Sequence, residues 1–489
     1  MSKQYFIITA LLILYLEFQP SISAGQDYEL TLEQVVELAK KQSPEMVKTE
    51  TILENKYWQY QSYKSNYKPQ LQLTGELPNF NRTISPITQD DGTQAFKSRS
   101  YSSSSLTLGI SQNIGFTGGV VTLGTQLERM DGFSDSSTVD YLANPAVISI
   151  TQPILSFNPQ KWDKKIEPVR YEASKREYIE NIENISVLAT ELFFDLLLAQ
   201  KSKVIAETNL ANNDTLYQIA RGRYNLGKIA EDGLLQMELS VMNARNDLYK
   251  SQMDVQTANL RLAMFLGMTG KETISLIAPV EIPDFEVNEQ VALEQALANS
   301  SLTLDFDLNM LQAERSVDKA KGESGFNADI YASYGLTNST SILDDLYNDP
   351  RDHQRLLIGF NVPILDWGRA RARMKTALAN KKLMDVNVKQ EKQNFEQEIL
   401  LLVREFNIYK LNLEVAEKAE EVADKRYDVT MKRYKIGKIE ILDLNVARQE
   451  KDLAKKSYIQ SLENFWNTYY DLRKRTLYDF ELNKVIGGN

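Results

Sequence analysis

Histidine occurs once among the 489 residues, at His353, and cysteine does not occur. Thiol nucleophiles, disulfides, Cys/His zinc sites and iron–sulfur ligation are therefore excluded, and a Ser-His-Asp triad would have to use His353. Asp344, Asp345, Asp349 and Asp352 crowd the same stretch. Such carboxylates could hold calcium or bridge lipid phosphate, although a solvated inter-strand loop is the plainer reading. Gly222 and Gly227-Lys228 have the spacing of a phosphate-binding loop. That loop needs a strand before it and Ser or Thr after the lysine, whereas a helical pattern precedes and Ile229 follows. No catalytic, metal or cofactor residue emerges. With 56 Lys and Arg against 66 Asp and Glu, the net charge of −10 also opposes a nucleic-acid surface.

What remains is architecture. Val362-Pro363-Ile364-Leu365 follows Gln152-Pro153-Ile154-Leu155 at an offset of 210, and Arg433-Tyr434-Lys435-Ile436-Gly437-Lys438-Ile439 follows Arg223-Tyr224-Asn225-Leu226-Gly227-Lys228-Ile229 at the same offset. One constant offset over such a distance implies an internal duplication. Before the second of these glycine motifs, Ile399, Leu402, Phe406, Tyr409, Leu413, Ala416, Ala423, Tyr427 and Tyr434 keep a 3-4 rhythm, with Glu420 and Thr430 as polar members. No Pro or Gly interrupts Arg369 to Ile436, so a helix of about 100 Å is predicted, wound with others in a left-handed sense. Gly227 and Gly437 stop the long helices, and shorter ones return from about Leu234 and Leu444. Single shorter helices are expected over 32–67 and 291–321. The resulting shape is a rod or tube.

Alternating segments precede each Pro-Ile-Leu: Leu71 and Leu73, Ile148 and Ile150, Ile330 to Leu336, and Leu356 to Val362. Segments of about ten residues with one apolar face fit membrane strands, and four cannot close a barrel, which needs about eight. Open edges are not tolerated in lipid, so several chains must share one barrel. The first strand region exceeds the second, and Leu106–Ile110 and Val120–Gly124 around Gly118-Gly119 read as an additional hairpin over 105–127, inside or outside the barrel.

Lys3, an apolar run from Tyr5 to Leu16, and small residues at Ser21, Ser23 and Ala24 have the order of a secretory signal peptide over 1–24. A membrane anchor would need ~20 apolar residues. The expected organisation is a first repeat over 25–267 (strand region 70–153, helical hairpin 168–267), a linker over 268–288, a second repeat over 289–480 (strand region 328–363, helical hairpin 369–478) and a tail over 481–489.

The duplicated Pro-Ile-Leu exits, Pro363-Ile364-Leu365-Asp366-Trp367-Gly368-Arg369, the duplicated Tyr-x-x-Gly-Lys-Ile tips and the opening Leu32-Glu33-Gln34-Val35-Val36-Glu37-Leu38-Ala39 resemble the TolC family of outer-membrane efflux proteins. Asn158-Pro159-Gln160-Lys161-Trp162 looks like the form found in Bacteroidetes-type bacteria. The resemblance implies a mixed α/β fold in which a long α-helical coiled-coil barrel joins a membrane β-barrel completed by oligomerisation. It implies a homotrimer in outer-membrane lipid, reaching into the periplasm to a periplasmic adaptor and an inner-membrane pump, without cofactor or catalysis. It further implies adaptor contact at Gly227, Lys228, Gly437 and Lys438, and a periplasmic gate at Tyr434 and Asp443, with Asp232 beside the position where the first repeat has Gly233. Trp162 and Trp367 are expected at the membrane–water boundary, with core packing at the strand-to-helix bend as the alternative. The function implied is a passive exit duct for efflux or type I secretion. An exported structural or adhesive coiled-coil rod would explain the helices but not the paired strand regions.

Overall fold

The computed structural model describes residues 27–133 and 137–487, and the expected signal peptide lies outside them. In chain order its elements are β1 (Asp27–Leu30), α1 (Leu32–Gln42), α2 (Pro44–Ser65), β2 (Gln70–Thr88), β3 (Gln94–Ile114), β4 (Gly119–Phe133), β5 (Ser137–Ile154), α3 (Pro159–Asn225), α4 (Glu231–Phe265), β6 (Thr273–Leu276), α5 (Glu289–Asn299), α6 (Ser301–Gly322), β7 (Asn327–Thr340), β8 (Arg351–Asn361), α7 (Arg369–Lys435), α8 (Ile441–Thr476), β9 (Tyr478–Asp479) and β10 (Lys484–Val485).

The duplication extends to element lengths. Helices α1 and α5 have 11 residues each, α2 and α6 have 22 each, and α3 and α7 have 67 each. The expected single helices over 32–67 and 291–321 are each two. Ser43 leaves the helical region because the residue before a proline is pushed to extended backbone, and Pro44 then opens α2, where a missing N–H costs nothing. Ser300 makes the same break before Ser301. The first long helix starts at Pro159 rather than at 168, and carries Pro168 inside it.

Six strands form one antiparallel sheet in the order β2-β3-β4-β5-β7-β8, two more than the expected four. The repeat bounds the place of the additional pair. Helices α5 and α6 begin 257 residues after α1 and α2 (Glu289 against Leu32, Ser301 against Pro44), while α7 and α8 begin 210 after α3 and α4 (Arg369 against Pro159, Ile441 against Glu231). Shifted by 210, β7 and β8 fall on β4 and β5, whereas shifted by 257, β7 begins on the first residue of β2 (Asn327 against Gln70), so the first repeat has one hairpin more than the second, either β2–β3 or β3–β4. The segments expected to form it, Leu106–Ile110 and Val120–Gly124, pair with each other (Ile110 opposite Leu123) within β3 and β4.

The register sorts the side chains by face, because neighbours along a strand point to opposite sides. Leu71, Ile110, Leu123, Ile148 and Tyr334 lie opposite one another across five strands, continuing the apolar face through Ile330 and Ile358. The other face carries Gln70, Ser111, Thr122, Ser149, Ser333 and Arg355 in one line across all six.

The chain divides into two compact units that cut across the repeats. One comprises Glu54–Lys175 and Ser301–Asn394 and holds the sheet. Its helical core is Trp162, Ile166, Ala173 and Leu308. The other comprises Met1–Leu53, Arg176–Ser300 and Phe395–Asn489. There β1 pairs parallel with β6, and Phe193, Phe194, Phe406 and Phe465 are fully buried. The same unit holds a charged knot. Glu183, 2 % exposed, accepts from Lys40 at 2.7 Å and from Arg473 Nε at 2.9 Å, and Arg473 also pairs with Asp479 beside the β9–β10 hairpin.

Candidate functional site

The two glycine motifs close α3 and α7 in the same way. Gly227 and Gly437 take φ of +67° and +75°, the left-handed region that costs glycine no steric penalty. Gly227 N–H donates to the Tyr224 carbonyl and Lys228 N–H to the Arg223 carbonyl, both at 2.8 Å; Gly437 to Tyr434 (2.8 Å) and Lys438 to Arg433 (3.0 Å) repeat the pattern. These paired bonds are a Schellman cap, which satisfies carbonyls that would otherwise end the helix unpaired. The caps leave Gly227, Lys228, Gly437 and Lys438 exposed, while Ile229 and Ile439 turn back into the interior.

That interior is shared by four helices. Leu216 and Ala220 of α3, Met237 of α4, Tyr427 and Tyr434 of α7, and Leu444 and Ala447 of α8 form one buried cluster. Tyr434 is 7 % exposed, with the Arg223 guanidinium 5.6 Å from its ring centroid. Asp443 and Asp232 are exposed in the first turns of α8 and α4, where a carboxylate complements the helix dipole. The expected gate residues therefore divide: Tyr434 packs within its own chain, and the two acids face outward. The repeats also differ here, since Tyr224, 210 residues before Tyr434, is exposed.

Polar ties lie beyond the cluster. Asn212 Nδ2 donates to the Tyr427 hydroxyl at 3.2 Å, and the Lys451 ammonium sits 3.9 Å from the same ring's centroid. Burial pulls the Lys451 pKa down and pushes those of Tyr427 and Glu420 up. Arg448 donates to Asn213 Oδ1 at 2.9 Å, and Asn213 Nδ2 to the Ser240 carbonyl at 3.3 Å. Sequence periodicity could not find the ties of Asn212 to Tyr427 and of Arg448 to Asn213, because each joins residues more than 200 positions apart.

At the other end of the long helices the tryptophans separate. Trp367, 90 % exposed, stands in the turn between β8 and α7 with exposed Ile364 and Leu365. Asp366 caps α7 beside it, accepting from Gly368 N–H (2.9 Å) and Ala370 N–H (2.7 Å), and these bonds lower its pKa. Trp162 is covered by its own chain, as the core-packing alternative has it. It is 7 % exposed inside α3, its indole N–H donates to Asp318 at 2.7 Å, and Phe157, the repeat counterpart of Trp367, packs against its cluster. The turn before α7 leaves its aromatic outside, whereas a position inside α3 facing α6 is covered.

His353 is exposed on β8, and Asn338 binds the Asp345, Leu346 and Asn348 carbonyls of the acidic loop. Among the described residues no His, Asp and Glu grouping has the arrangement of a metal site, and no helix is long and apolar enough to cross a membrane.

Sequence analysis missed one surface. Leu401, Ile408, Val415, Val422 and Val429 stand seven residues apart along α7, with Ile436 seven further on just past its end, each more than half exposed. A second exposed apolar row, Leu235, Leu239, Met242, Tyr249 and Met253, runs along α4.

Comparison with known proteins fits this geometry. The chain is 24% identical over 233 residues to the cation efflux system protein CusC of Escherichia coli K12, covering 47% of this chain and 49% of that protein. It is 26% identical over 145 residues to toxin and drug export protein A of Aggregatibacter actinomycetemcomitans, covering 27% and 32%. The first of these matches spans about half the length of the relative. The fold matches a solved structure of CusC at a TM-score of 0.62 and 16% identity over 91% of both chains. It matches the Campylobacter jejuni CmeC outer membrane channel at 0.64 and 15% identity, over 91% of this chain and 85% of that one. Residues 120–268 and 291–475 match the family described as outer membrane efflux protein. On that match, which takes in both repeats, the chain belongs to the outer membrane efflux protein family, whose place is the bacterial outer membrane.

Proposed function

We propose that the protein is one subunit of a homotrimeric exit duct of a tripartite efflux or type I secretion system, passive and without a cofactor. The observation that carries this reading is the sheet. It has one apolar and one polar face, and its edge strands β2 and β8 have no outer partner among the described residues. Six strands still fall short of the about eight that close a barrel, and lipid does not tolerate open edges. Copies that join edge to edge satisfy every backbone group, turn the apolar face to lipid and leave a polar lumen. The exposed apolar rows on α4 and α7 support the same assembly, because a seven-residue period suits helices that pack around one another. An adhesive rod has no use for such a sheet.

In this duct the capped tips, with Lys228 and Lys438 exposed, meet the periplasmic adaptor of an inner-membrane pump. Asp443, with Asp232, gathers into a ring of carboxylates that favours cations at the entrance. Trp367 marks the lipid–water boundary. The purified protein in detergent is expected to have the mass of three chains and to fractionate with outer membranes. A folded monomer that needs no detergent overturns the reading.

A further inference from the structure

We infer that the edge hairpin β2–β3 is a stave of the barrel, so that the duct is wider than four strands per chain would build and passes bulkier hydrophilic solutes. The inference rests on reading the chain as an oligomeric duct. Three features of the hairpin lead to it.

The first is position. Strands β4, β5, β7 and β8 are contiguous, and the hairpin extends them at one edge instead of leaving the sheet. Strand β3 pairs with β4 without interruption from Tyr101↔Gly132 to Ile114↔Gly119, and β2 pairs with β3 down to Gln70↔Ser111. The second is the match of faces. Leu71 and Leu73 stand opposite Ile110 and Leu108 on the apolar side, and Gln70, Gln72 and Thr74 opposite Ser111, Gly109 and Thr107 on the polar side. A hairpin folded into the lumen as a plug would have water on both faces and no reason to keep Leu71 and Leu73 exposed at about two-thirds of their surface. One lying outside the wall against lipid would have no use for a row of glutamine, threonine and serine. The third is lining chemistry. The hairpin adds amide and hydroxyl groups to the polar face near the helices, a surface suited to neutral, hydrated cargo.

Barrel diameter grows about linearly with strand number. Three six-stranded walls therefore enclose a barrel about one and a half times as wide as three four-stranded ones.

The absence of cysteine makes the test clean. Gln72→Cys in β2 or Thr122→Cys in β4, both on the polar face, is combined with a cysteine at Leu357, Gly359 or Asn361 of β8 in turn. Disulfides form only where Cα atoms come within about 7 Å. If β2 is the edge that meets the next copy, the Gln72→Cys series contains a pair that links chains covalently, and the Thr122→Cys series contains none. Links through Thr122→Cys, or through neither in particles of trimer mass, overturn the inference. Particles of monomer mass instead refute the duct itself. As an independent measurement, electron cryomicroscopy of the unmodified trimer and of a variant lacking residues 70–117 should show barrels differing in width by the same factor of about one and a half. Equal widths overturn the inference as well.

Discussion

Glu183 is the most committed side chain in the helical unit. Almost without solvent, it neutralises Lys40 and Arg473, and Arg473 in turn holds Asp479 where the chain turns into its last hairpin. A buried ion pair adds little net stability, but removing one partner strands the other in a medium that cannot solvate it, at about 3–5 kcal/mol. Glu183→Gln should lower stability by about that amount in denaturant unfolding of the solubilised protein. A change below about 1 kcal/mol would mean that Asp479 alone satisfies Arg473. The tip residues divide by burial in the same way. Tyr434 packs under Arg223 inside its own chain, so Tyr434→Phe should leave the conductance in planar bilayers nearly unchanged. Asp443 is exposed, and Asp443→Asn should weaken cation selectivity measured as a reversal potential under a salt gradient. The opposite ranking would place the gate on the tyrosine.

Helix ends and helix faces decide more than single side chains do. Around Gly227 and Gly437 there is open space, so an added Cβ meets no atom and the only penalty is the left-handed backbone. Gly227→Ala and Gly437→Ala should each cost about 1–2 kcal/mol, read as faster amide hydrogen exchange over the adjoining turns of α3 and α7 with the rest of the chain unaffected. Protection unchanged at both tips would mean that the caps are not what holds these ends. The two stripes of α7 are more instructive. Ile399, Phe406, Leu413, Tyr427 and Tyr434 are buried, and Leu401, Ile408, Val415, Val422, Val429 and Ile436 are exposed, at the same seven-residue period and two residues apart. Two residues are about 200° round a helix, so the stripes occupy nearly opposite faces. Glu420, half-buried, completes this stripe, and desolvation raises its pKa.

For the whole molecule, the sheet's two faces make unequal demands. Ile358 lies on the apolar face in the middle of β8, opposite Ile330. Ile358→Arg should cost about 2–4 kcal/mol of insertion into vesicles, the penalty for a cation at the midplane of a lipid-facing strand. Thr74→Arg, on the polar face of β2, should insert like the unaltered protein. Equal effects of the two would mean that neither face meets lipid.

Much of this was legible in the residues alone, and for one reason. The duplication, the long helices, the glycine stops and the strand alternation are all repeated or periodic, and periodicity is a local property that needs no knowledge of what lies across the fold. Side-chain depth and strand partnership are not local. Trp162 and Trp367 both follow a Pro-Ile-Leu exit, yet only the packing of α3 against α6 buries the first and spares the second. Leu106–Ile110 and Val120–Gly124 look like one inserted hairpin because they are adjacent and separated by glycines. Only the register shows that they pair with each other inside the sheet, between β2 and β5. The two stripes of α7 have the same period and similar hydrophobicity, so nothing in the sequence says which one meets the chain's own helices. The contacts of Tyr427 and Tyr434 with α3, α4 and α8 settle that, because burial is decided by the residues that a fold brings from far along the chain.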